Sequence, residues 1–80
     1  MNPEKLQMKG MLAEAKKSFR TFDTEASGLI VLVRTYLNPY EDIVQIDMEK
    51  VLISVQRLRE IQIEMKTLSQ KIKNLESEFE

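Results

Sequence analysis

The chain has 80 residues, of which 42% are hydrophobic and 31% charged, and a net charge of −1. It contains no cysteine and no histidine, which excludes a disulfide framework, the usual zinc ligands and any Cys–His or Ser–His–Asp relay. Two glycines and two prolines leave too little turn material for a set of short strands.

Both prolines follow asparagine, in Asn2-Pro3-Glu4 and in Asn38-Pro39-Tyr40-Glu41. Asparagine is a good N-cap, because its side-chain oxygen accepts from a free N–H in the first turn. Proline fits the next position, where its missing N–H costs nothing. Glu41 lies three residues after Asn38, as in a capping box, and Asp42 adds charge near the positive helix end. Pro39 also disfavours helical geometry at Asn38, so a preceding helix must stop there. These signals predict an all-α chain in one domain over 1–80, with helix 1 at about 3–37 and helix 2 at about 39–78. The opening residues, Met1-Asn2-Pro3-Glu4-Lys5, have no apolar run after a basic start, so no signal peptide is expected.

In the first half Met8, Leu12, Ala15, Phe19, Phe22, Ala26, Leu29, Val33 and Tyr36 alternate steps of four and three. This is a heptad seam. The run Leu29-Ile30-Val31-Leu32-Val33 is too short to cross a bilayer, which needs about 20 residues; a soluble, cytoplasmic protein without a membrane partner is the expectation. Gly28 costs about 1 kcal/mol in a helix interior. It marks either a kink or, with Ala26 and Ser27, a patch of small residues where another helix comes close. The β-branched stretches around Ile30 and Val44 allow an alternative reading of 28–48 as a β-hairpin. The continuous heptad phase argues for helix.

In the second half the apolar series is Val44, Met48, Val51, Val55, Leu58, Ile61, Met65, Leu68, Ile72, Leu75 and Phe79. Two consecutive steps of three, ending at Ile61, read as a stammer, with the polar Gln62 beside it. A near-absent linker at Asn38 predicts an antiparallel hairpin in which Val33 faces Met48, Ala26 faces Val55 and Ala15 faces Met65. The basic start (Lys5, Lys9, Lys16, Lys17, Arg20) then lies near the acidic end (Glu76, Glu78, Glu80). Tyr36 and Tyr40 bracket the bend and are expected to pack over the end of the core.

One seam between two helices buries little, and near the bend the apolar surface is wider than the seam. Leu29, Ile30, Val33, Ile43, Ile46, Leu52 and Ile53 are the candidate protein interface, with Ile46 and Ile53 seven apart. The economical expectation is a homodimer, two hairpins packing as a four-helix bundle; the alternative is a different protein bound at the bend. Asp47, Glu60 and Glu64 read as a solvated face, since a di-iron bundle needs histidines after its glutamates. No catalytic residue, metal or cofactor is therefore expected. Lys9, Lys16 and Arg20, and Arg59, Lys66 and Lys73 seven apart, are candidate phosphate contacts. They carry the second reading, a nucleic-acid-binding hairpin; in shape alone the chain is similar to small helical-hairpin dimers that recognise RNA loops. The length and the bend at Pro39 also resemble type III secretion needle subunits, which implies an assembling subunit, although that family has paired prolines at the bend. The function expected is a non-enzymatic interaction, adaptor or assembly module, a chaperone-like role included.

Overall fold

The structure, a computed structural model, describes residues 3–79. Helix α1 runs Pro3–Tyr36 and helix α2 runs Met48–Ser77. A single 3-10 turn, Ile43–Gln45, lies between them, and there is no strand among the described residues. The expected cap at Asn2 lies outside the described residues, as does Glu80. Helix α1 is unbroken through Gly28, so the kink and the β-hairpin reading of 28–48 are both set aside.

Helix α1 stops where the Asn-Pro signal requires it to. The last bond of the helical ladder runs from Leu37 N–H to the Val33 carbonyl at 2.9 Å, and Pro39 forbids continuation. The second helix, however, does not begin at Pro39. The Asn38 side-chain oxygen accepts from Tyr40 N–H at 3.0 Å, which is a local turn two residues long and not a helix cap. Asp42 then caps the 3-10 turn, its carboxylate accepting from Val44 N–H at 3.1 Å. Asp47 caps α2, accepting from Lys50 N–H at 3.1 Å, with Glu49 in the first turn. Three side chains of the same capping class compete for the start of the helix. The β-branched residues Ile43, Val44 and Ile46 weaken helix formation between the first and the last of them.

The two helices pack antiparallel as a rod of 64 × 17 × 15 Å. Every seam residue expected in α1 from Met8 to Tyr36 is turned inward, with Ala15 fully buried. In α2 the inward residues are Val51, Ser54, Leu58, Ile61, Met65, Leu68, Ile72 and Leu75, which step by three and four without interruption. The stammer is therefore absent. The seam passes through the polar Ser54, which is buried, and Val55 is 46% exposed. Val44 and Met48 likewise lie off the seam and are exposed.

Two cross-helix ion pairs fix the register. Arg57 forks onto Glu25, with Nε to Oε2 at 2.6 Å and Nη2 to Oε1 at 2.9 Å, and Lys16 Nζ lies 3.2 Å from Glu76 Oε1. Lys50 Nζ, 6.0 Å from the centre of the Tyr36 ring, marks the same alignment near the turn. These contacts place Ala15 level with Ile72, Ala26 with Ile61, and Val33 with Ser54. Compared with the sequence expectation the helices have slipped by about one heptad. Because the seam repeats every seven residues, such a slip leaves the apolar pattern intact, and the 11 residues from Leu37 to Asp47 take up the difference.

Candidate functional site

A two-helix rod has a seam in the middle and two open sides. At 100° per residue, the side bearing Lys16 and Glu76 also carries Ile30, Val55, Arg59 and Lys66. On it lies an open cleft of about 650 Å³, whose walls include Phe19, Ile30, Val55, Leu58 and Met65. Ala26 forms its floor; a residue this small leaves the space that a larger seam residue would fill. We call this side the groove face. A second, shallower cleft of about 610 Å³ lies towards the end of the rod distant from the turn, between Lys9, Lys16, Leu12 and Phe79.

Charge is divided unequally between the sides. The groove face carries Lys9, Lys16, Arg20, Arg34, Arg59, Lys66 and Lys73 against Asp23 and Glu76. The opposite face carries Glu4, Glu14, Glu25, Glu60, Glu64 and Glu78 against Lys50, Arg57 and Lys71. Arg20, Arg59, Lys66 and Lys73 have no ion-pair partner among the described residues. The basic rows singled out on each helix, Lys9-Lys16-Arg20 and Arg59-Lys66-Lys73, are thus brought together on one face by the antiparallel packing.

The acidic candidates are engaged in local structure. Asp47 caps α2, and Glu60 accepts from Arg57 Nη1 at 3.2 Å. The Glu25 carboxyl is held below the usual carboxylate range by the hydrogen bonds of the Arg57 guanidinium, and its own carboxylate in turn raises the arginine. Among the described residues, no three acidic side chains converge into a metal site.

The apolar candidates separate into two groups. Leu29 and Val33 belong to the seam and are already half-buried between the helices. Ile30 and Leu52 are exposed on the groove face, while Ile53, 67% exposed, points to the opposite side. Ile43, 70% exposed, lies on the 3-10 turn. Ile46 ends that turn, outside α2, so it does not form a helical pair with Ile53. Tyr36 is half-buried under Lys50, but Tyr40 is 96% exposed and covers nothing. The contribution of Val55 was hidden by its plausible place in the apolar series. Only the buried Ser54 next to it reveals that Val55 faces outward.

No helix among the described residues is long and apolar enough to cross a membrane. The chain matches no family model, no curated protein and no solved structure.

Proposed function

We propose that the chain is a non-enzymatic protein–protein interaction module that self-associates through its groove face, two hairpins packing as a four-helix bundle of coiled-coil type. The observation that carries this reading is the amount of apolar surface the single hairpin leaves in water. Ile30, Val31, Leu32, Leu52, Val55 and Ile63 are all exposed, and among the described residues only Ala15, Val51, Ile61 and Leu75 form a buried apolar core. A compact chain of this mass exposes about 5,000 Å², and this one exposes 6536 Å². The excess, about 1,500 Å² per chain, is in the range that a stable dimer covers. Val55, next to the cleft, is the residue whose charge would be least tolerated there. Val55→Asp should reduce the sedimentation mass from two chains to one, whereas Ile53→Asp on the opposite face should leave it at two. A Val55→Asp protein that still sediments as a dimer would place the interface elsewhere.

A second reading, nucleic-acid binding, is favoured by one observation: the two basic rows lie on the same face. Neutralised phosphates would make such binding fall steeply with salt. A gel shift on bulk RNA or DNA that disappears between 50 and 200 mM salt (about the range over which such contacts weaken) would support it; the interaction module alone gives no shift.

A further inference from the structure

We infer that the groove receives an acidic amphipathic helix of another protein, which competes with the second copy for the same face. The site is the one the self-association reading uses, and the competition rests on that reading.

Two rows of residues border the cleft. On α1 the outer row is Ala13, Arg20, Ser27 and Arg34; on α2 it is Leu52, Arg59, Lys66 and Lys73. Each row repeats every seven residues, so it keeps to one edge of its helix. The two rows hold five cations and no acid. All five cations are exposed, and none has an ion-pair partner among the described residues. Between Lys9 and the turn, the charged residues inside these rows are Lys9, Lys16, Asp23 and Glu76. Lys16 and Glu76 pair at 3.2 Å, which leaves Lys9 to offset Asp23. The excess positive charge therefore sits on the two rims.

Between the rims the cleft is apolar, with Phe19, Ala26, Ile30, Leu58 and Met65 along it. Its stretch of α2, from Val55 to Ser69, is about 21 Å long, or about four helical turns. A third helix of that length, apolar at i, i+3, i+4 and i+7, would cover the floor. Both of its flanks would then face cations, and carboxylates there supply the counter-charge. A phosphate backbone would meet the rims but leave the apolar floor in water. A second copy covers the floor, yet it brings five more cations and only the same unpaired acid, Asp23. Self-pairing thus raises the positive charge of the covered face, whereas an acidic helix neutralises it.

Two synthetic helical peptides of about 18 residues test this. Both have leucines at i, i+3, i+4 and i+7, flanked by glutamate in one and by lysine in the other. Titrated into the full chain, the glutamate peptide should bind at least roughly tenfold more tightly than the lysine peptide. Light scattering should show the mass fall from two chains to one chain with one peptide. Between about 50 and about 300 mM salt its binding should weaken while self-association strengthens, because screening removes attraction in one case and repulsion in the other. Arg59→Glu combined with Lys66→Glu, at two exposed and unpaired positions, should reverse the peptide preference with helix content unchanged by circular dichroism. Equal binding of the two peptides, binding of neither, or a preference unmoved by the charge reversal overturns the inference; a two-chain mass in those cases leaves self-association standing. Homopolymer RNA bound in place of either peptide assigns the cations to phosphate and overturns it too. A single-chain mass throughout, with the glutamate peptide still preferred, overturns self-association and keeps the acidic helix.

Discussion

The Glu25–Arg57 fork is one of two cross-helix ion pairs that select among otherwise equivalent registers. Its Arg57 partner lowers the Glu25 pKa, so the sign follows directly: the contribution is present above the ordinary carboxylate range and is lost as pH falls through the depressed value. We expect the thermal midpoint of the wild type to fall on acidification below about pH 4, and Glu25→Gln to flatten that decline, as read by circular dichroism melts across pH. Gly10 and Gly28 are a different case. A Cβ at either position meets nothing within 4 Å, so the close approach of a helix expected at Gly28 does not occur within the hairpin. Each glycine sits inside α1 at a cost of about 1 kcal/mol. Gly10→Ala and Gly28→Ala should each raise the midpoint by about 4–8 °C; a lower midpoint for Gly28→Ala alone would mean that a second chain needs the space. Ser54 shows where residue-level reading failed. A hydroxyl at a seam position looks like an outward residue, and its apolar neighbour Val55 looks like the core. The geometry assigns them the reverse roles because neighbouring seam positions, not hydropathy at one site, decide which side faces inward.

At the level of the helices, α1 was legible nearly to the residue, because its seam, its lack of internal proline and its stop at Asn38-Pro39 all agree. The start of α2 was not legible. Asn38, Asp42 and Asp47 are each competent caps, and nothing local ranks them. In the structure Asn38 closes a turn with Tyr40 N–H, Asp42 caps only the short 3-10 turn through Val44 N–H, and Asp47, accepting from Lys50 N–H, is the cap that α2 follows. The heptad pattern could not expose the resulting slip, since moving one helix by seven residues returns an identical seam; only the flanking charges carry the register. This ranking of caps is open to test. Asp47→Ala should cost about 1 kcal/mol, seen as a lower midpoint in urea with an unchanged slope. Asn38→Ala, which removes only the turn bond to Tyr40, should cost less. Equal losses would mean that α2 depends as much on the bend as on its own cap.

The whole molecule is a rod with unlike sides, basic around an apolar cleft and acidic opposite. Its Cα radius of gyration of 18.2 Å compares with about 12 Å for a compact chain of 80 residues. A rod this thin keeps most of its surface in water, so if a second copy supplies the missing burial, stability must depend on concentration. For a dimer that unfolds to two chains, tenfold dilution removes about 1.4 kcal/mol. Spread over two chains, this lowers the midpoint by about 3–6 °C. Val55→Asp places a carboxylate on the proposed interface face of each copy. It should lower the midpoint and also abolish its dependence on concentration, because the remaining single hairpin unfolds in a unimolecular step. The two effects separate an interface residue from a merely structural one: a substitution that only weakened the hairpin would lower the midpoint and leave the slope against log concentration unchanged. A wild-type midpoint constant over a hundredfold range of concentration would show that the hairpin is stable alone and that its apolar face is held for a different protein.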